Sequence, residues 1–238
     1  MAKYRGIDVS SAQGAIDWAK VKASGLVDFA MLRSSYGWQA EGTEQYDKQF
    51  RANVKGCEDN NIPFGIYHYS YCVVPENARR EARYFLKAIE GVKPDYPVFF
   101  DIEDPTHRKL TKAQCSKIAA DFCDEVEKAG YRVGIYSYRN FLVDKIDQSL
   151  LDEYDIWVAE TGDKTLYSGA YTMWQYSWKG QVDGIRGNVD LDMCYTDYIN
   201  KENPPTGGEL AAGELLELAQ EKAAELNETL KQLADVIQ

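Results

Sequence analysis

VFFDIED, residues 98–104, is an apolar run that ends abruptly in carboxylates. A short stretch of this kind, rich in β-branched and aromatic residues and charged at one end only, reads as a strand buried on both faces whose far end leaves the core. The same design recurs as GIDVS at 6–10, GIYHYS at 65–70, GIYSYR at 134–139, IWVAE at 156–160 and MWQYS at 173–177. Working outward, the sequence predicts eight strands, at 4–9, 29–34, 64–70, 98–102, 132–137, 155–159, 171–176 and 189–194. Helical patterns at 17–24, 45–59, 75–89, 111–128 and 138–146 lie between them, the first with Asp17 as N-cap and Gly25 past its end. Beyond residue 150 the strands follow more closely, so the last three are expected to connect through loops. This alternation predicts an α/β fold, a modified TIM-like (β/α) barrel with eight strands and about five helices, plus a C-terminal helix.

The chain of 238 residues is long enough for one sizeable core with an appendage. We assign 1–200 to the barrel, 201–208 to a linker containing NPPTGG, and 209–238 to a helix. In the last segment Leu216, Ala219, Ala223, Leu226, Leu230, Leu233 and Ile237 follow a 3-4 heptad spacing. That seam fits a short coiled coil joining subunits into a homo-oligomer, a helix folded back on the barrel, or a lead into a further domain. A helix of this length needs a partner of some kind.

Charge and composition exclude several classes. A net charge of −11 gives no nucleic-acid footprint, which needs clustered Lys and Arg. Five cysteines without a C-x-x-C pair read as reduced, partly buried thiols. With only two histidines, a His-rich zinc site is not expected. No stretch is apolar enough for membrane insertion, and the start MAKYRGIDVSS lacks the apolar core of a secretory signal. A substrate outside the cytoplasm would then be reached by another route.

Four carboxylates stand at predicted strand ends: Asp8, Asp101, Glu103 and Asp190. Asp101 and Glu103 are two residues apart, so on an extended strand both side chains fall on one side. Neighbouring anions repel and burial disfavours ionisation, so at least one carboxyl stays protonated near neutral pH. A proton donor beside a stabilising carboxylate is what glycosidic cleavage requires. Glu103, with the longer reach and nearer the barrel mouth, takes the acid role; Asp101 holds or polarises a substrate group, while Asp8 and Asp190 tune Glu103 and position sugar or water. A D-x-E pair also fits a magnesium site or a hydrogen-bonded strand end, although no phosphate-cradling glycine loop accompanies it. Aromatic residues crowd the same strand ends, where flat apolar faces stack on sugar rings. The candidate substrate-binding residues are Tyr36, Trp38, Tyr67, Tyr69, Tyr138, Trp157 and Gln175, with Trp157 placed early enough in its strand to fill the barrel instead.

The motifs GIDVSSAQGAIDW, FAMLRSSYGW, FGIYHYSY, PVFFDIED, VGIYSY, IWVAE, MWQYS and GIRGNVDLD, in this order, resemble those of the glycoside hydrolase family 25 (Chalaropsis-type) lysozymes. The resemblance implies cleavage of the β-1,4 bond between N-acetylmuramic acid and N-acetylglucosamine in peptidoglycan glycan strands, with no metal or organic cofactor. It implies Glu103 as the catalytic acid, Asp101 as its partner in the motif, and Asp8 and Asp190 as the flanking carboxylates. A D-x-E strand end is also similar to that of chitinases, where the substrate's own 2-acetamido group attacks the anomeric carbon. This substrate-assisted, retaining route is our expectation, because spacing along a strand does not by itself choose between retention and inversion. Where many relatives carry an aromatic two residues after the alanine of W-x-A, this chain has Thr161. Rival readings are a silent barrel that binds peptidoglycan without cutting it, and a glycosidase acting on chitin. Without a signal, an enzyme for a wall polymer fits a phage or prophage endolysin, made in the cytoplasm and released through a lesion opened by another protein.

Overall fold

The computed structural model describes residues 4–37 and 45–200. Trp38, the linker at 201–208 and the heptad segment at 209–238 lie outside the described residues. A division into compact units falls between Asn203 and Pro204.

The eight apolar runs form a closed barrel in sequence order: β1 (Tyr4–Val9), β2 (Phe29–Tyr36), β3 (Phe64–Tyr69), β4 (Val98–Asp101), β5 (Val133–Tyr138), β6 (Asp155–Ala159), β7 (Met173–Gly180) and β8 (Val189–Cys194). Neighbours from β1 to β7 pair in parallel. Strand β8 runs antiparallel to both β7 and β1. Six α-helices are described: α1 (Trp18–Ala23), α2 (Phe50–Asp59), α3 (Ala78–Ala88), α4 (Lys112–Lys128), α5 (Arg139–Lys145) and α6 (Gln148–Leu151). Their starts follow local chemistry. Asp17 accepts from the Lys20 N–H before α1, and Thr111 with Gln114 builds a reciprocal cap before α4.

Two expected helices begin late. The pattern at 45–59 becomes helical only from Phe50, because Tyr46 bridges Ser35 and the Asp47 N–H donates to the Ser34 carbonyl. The pattern at 75–89 opens with a 3-10 turn, Pro75–Asn77, before α3. As expected for the last strands, loops without helix join β6 to β7 and β7 to β8. The second of these loops turns back through Gly184 and Gly187, both at positive φ, so β8 returns antiparallel.

Strand alternation sorts the core into two layers. Ile7, Ala30, Leu32, Ile66, Phe100 and Ile135 face the helices, whereas Phe29, Met31, Phe99 and Trp157 fill the barrel. The repeated glycine of the G-I motifs makes that filling fit: a Cβ at Gly6 would collide with the Phe29 ring, and one at Gly134 with the Phe99 ring. All five cysteines are buried and unpaired. Linking β2, β3 and α3, Ser35, His68 and Glu81 form a polar chain, with Ser35 Oγ 2.8 Å from His68 Nδ1 and Glu81 Oε1 3.4 Å from Nε2. All three are fully buried, so this Ser–His–acid arrangement is structural. Glu81 also accepts from Ser70 Oγ and the Tyr71 N–H, which fixes the loop leaving β3.

Candidate active site

Chain direction decides which carboxylates meet. Asp8 in β1 and Asp101 at the end of β4 lie toward the C-terminal mouth of their strands. Asp190 is the second residue of β8, and it reaches the same mouth because β8 is antiparallel, in register with Asp8. Glu103 stands two residues past the end of β4. Its backbone is held by Ile102, whose N–H donates to the Tyr136 carbonyl and whose own carbonyl accepts from Ser137 Oγ at 2.5 Å. The turn that follows, Pro105–Lys109, is capped by Asp104 and tied to the β3 loop by a 3.0 Å contact between His107 Nε2 and the Cys72 carbonyl. Asp8, Asp101, Glu103 and Asp190 thus border one hollow of about 210 Å³.

A fifth carboxylate, Asp192, lies beneath them, fully buried. One of its oxygens accepts from Trp157 Nε1 at 2.9 Å, and the other side of the carboxyl faces Asp8. Burial raises every one of these groups above the ordinary carboxylate range. Burial pushes Asp8 up to about 8, aided by the charge of Asp190. Glu103 is pushed up to about 7, again chiefly by burial, against the pull of the Tyr136 and Tyr138 hydroxyls. Asp190 rises to about 6 through burial. Asp101 and Asp192 rise well above the usual value, both through burial first, then Glu103 for Asp101 and Asp8 for Asp192. The cluster therefore holds protons at neutral pH.

Gln175 organises the group. Its Oε1 accepts from Trp178 Nε1 at 3.0 Å, and because an indole N–H only donates, the amide orientation is determined. Nε2 then donates to Asp8 at 2.8 Å and reaches Asp190 at 3.5 Å. The Tyr136 hydroxyl lies 2.9 Å from Gln175 Oε1 and also within reach of Glu103. With a single proton, it donates to Gln175 while Glu103 is protonated and is available to Glu103 once that carboxyl is charged. Arg33 borders the same hollow; its guanidinium is held by Asp47 at 2.9 Å and lowers the neighbouring Asp101 against the other influences.

The aromatic candidates divide. Tyr67 and Tyr69 line the carboxylate hollow, and Tyr69 donates to Asp104 at 3.2 Å. Trp157 forms its floor, 1% exposed and held by Asp192, with Tyr67 edge-on at 6.0 Å. Tyr138 is exposed and lines a second, wider hollow of about 540 Å³. Glu103 borders both, so the two hollows meet at its side chain. Tyr36 packs away from them, against Tyr71 and under Arg33. Sequence reasoning passed over Asp192 and Arg33, and it counted Tyr136 and Trp178 among the strand-end aromatics without selecting them for the site. Asp192 carried a signal, since D-L-D places it on the same face as Asp190. Arg33, the one charged residue of the strand FAMLRSSY, was another.

A family model described as glycosyl hydrolases family 25 matches residues 7–185. Among curated proteins, the chain is 31% identical over 189 residues to the autolytic lysozyme of Clostridium acetobutylicum, covering 79% of this chain and 55% of that protein. Among solved structures, the modular autolysin LytC from Streptococcus pneumoniae in complex with synthetic peptidoglycan ligand aligns with TM-score 0.71 at 28% identity, over 81% of this chain and 47% of that one. The bacterial lysozyme from Streptomyces coelicolor aligns with TM-score 0.68 at 26% identity, over 83% and 94%. The chain thus spans about half the length of the clostridial lysozyme and of the pneumococcal autolysin.

Proposed function

We propose that this chain, which belongs to glycosyl hydrolases family 25, is an N-acetylmuramidase that cleaves the β-1,4 bond between N-acetylmuramic acid and N-acetylglucosamine in the bacterial wall. The observation that carries the reading is Glu103, a carboxyl poised near neutrality at about 7, bordering two hollows with Asp8, Asp101 and Asp190 gathered in the narrower one. An acid of that kind is protonated when substrate arrives and loses its proton readily.

In the proposed reaction the sugar that becomes cationic occupies the carboxylate hollow. Glu103 transfers its proton to the glycosidic oxygen as the C1–O bond breaks. The carbonyl oxygen of the 2-acetamido group closes on C1 from the opposite face, and Asp101 accepts the acetamido N–H. Asp101 Oδ1 is buried without a protein donor, which suits that contact. The growing positive charge favours the ionised forms of Asp101 and Asp190. Water then attacks C1 as the bond between C1 and the acetamido oxygen breaks, and the Glu103 carboxylate takes the water's proton, so the acid and the acetamido group are restored and configuration is retained. Tyr136 and Tyr138 stabilise Glu103 in its charged interval.

Turbidity of purified walls tests the reading. Wild type should clear them and Glu103→Gln should leave them intact while still binding; binding without clearing by wild type would support the silent barrel instead. New reducing ends should be muramic acid, and glucosamine ends would point to the chitin-type specificity. An anomer-resolved NMR time course showing the inverted product first would refute the substrate-assisted route. The domain division at 201–208 and association through 209–238 stand as proposals beside this one.

A further inference from the structure

The wider hollow at Glu103 carries charge of a sign that the carboxylate hollow largely lacks. Its wall includes Arg108, Arg139 and Lys145. Two of these cations are engaged. Arg139 Nε lies 2.7 Å from Glu160 Oε1, and Lys145 Nζ donates to the Arg108 and Leu110 carbonyls at 2.9 and 2.7 Å. The Arg108 guanidinium is exposed and makes no hydrogen bond or ion pair among the described residues. Its backbone, by contrast, is pinned by Lys145 and by the capped turn Pro105–Lys109. A fixed base with an unengaged head leaves this guanidinium available to a ligand in the hollow.

The position of Glu103 says which half of the substrate this ligand belongs to. The acid donates to the bridging oxygen, so the cationic sugar lies with the aspartates and the departing half lies across Glu103, in the wider hollow. There Tyr138 and Trp178 stand edge to face at 6.3 Å, 36% and 46% exposed, and present apolar faces to a sugar ring. A bare amino sugar is neutral and leaves a guanidinium unanswered. A glycan strand substituted with peptides supplies carboxylates on its departing half. Resting on the muramidase reading, we propose that the wider hollow recognises the peptide-bearing leaving half of the glycan, with Arg108 binding a peptide carboxylate. Glu160 and Asp144 on the same wall disfavour a doubly charged group such as phosphate, whereas a single carboxylate matches the two-pronged guanidinium.

The test compares two soluble tetrasaccharides that differ only in the stem peptide on the leaving-half muramic acid, one with free carboxylates and one with carboxamides. Wild type should show a KM lower by about fivefold for the carboxylate form, the size expected of an accessible Arg–carboxylate pair. Added salt should shrink the difference. In Arg108→Gln the ratio should fall to about one, and in Arg108→Lys part of it should return. Binding of the same pair to Glu103→Gln, followed by tryptophan fluorescence, reads the preference even if neither compound is cleaved, so a failed muramidase assignment is distinguished from a failed Arg108 assignment. Equal binding of both forms by wild type, or an unchanged ratio in Arg108→Gln, would overturn the proposal.

Discussion

Replacing Glu103 by Gln should stabilise the fold, and the gain should appear only as pH rises. A free glutamate titrates near 4.5, whereas Glu103 in the folded chain titrates at about 7. Between those values the native state binds a proton that the unfolded chain has released, so stability falls as pH increases. Below 4.5 both states are protonated and the carboxyl costs nothing. Above 7 the full cost is present, about 2.5 pH units or roughly 3 kcal/mol at 1.36 kcal/mol per unit. Glutamine keeps the shape and an acceptor for the Tyr136 and Tyr138 hydroxyls and removes the charge. Because the charges of Asp190 and Asp104 contribute to the shift, roughly 3 kcal/mol is an upper bound. Thermal unfolding of wild type and Glu103→Gln at pH 4 and pH 8.5 measures the effect. The two should coincide at pH 4 and separate at pH 8.5 by several degrees, taking about 2–4 °C per kcal/mol for a domain of this size. Equal differences at both pH values, or a less stable variant at pH 8.5, would refute the electrostatic account of Glu103.

Tyr138→Phe removes a donor that favours charged Glu103, so the alkaline limb of activity should move up by about half a pH unit while kcat falls several-fold, read from pH–rate profiles of wall clearing. Gln175→Glu replaces the amide that donates to Asp8 with another carboxyl, and kcat/KM at pH 7 should drop by more than about 100-fold, with retained circular dichroism separating this from misfolding. Gly134→Ala forces a methyl into the Phe99 ring and should cost on the order of 1–3 kcal/mol in denaturant unfolding. Deleting 209–238 should lower the mass seen by light scattering, and an unchanged monomeric mass would refute association through that segment.

Sequence alone carried the eight strands, because buried strand runs are continuous and apolar, and three of the eight match to the residue at both ends. It also carried the D-x-E pair, since side chains two apart on an extended chain share a side whatever surrounds them. Strand and helix ends moved where long-range bonds intervened, as when the Ser35–Tyr46 bridge delayed α2. What only the tertiary structure decided is the company Glu103 keeps. Asp190 joins the other carboxylates because β8 reverses direction, a property of closure against β1 that no local pattern encodes. Asp192 drops beneath Asp8, Gln175 turns its amide toward both aspartates because Trp178 takes its oxygen, and Arg108, which makes no ion pair among the described residues, lines the wider hollow with Glu103. Residue types are local, but proton affinity depends on burial and on charges that come from strands far apart in the chain. The sequence could therefore nominate the carboxyls, and only their assembly makes Glu103 an acid near neutral pH.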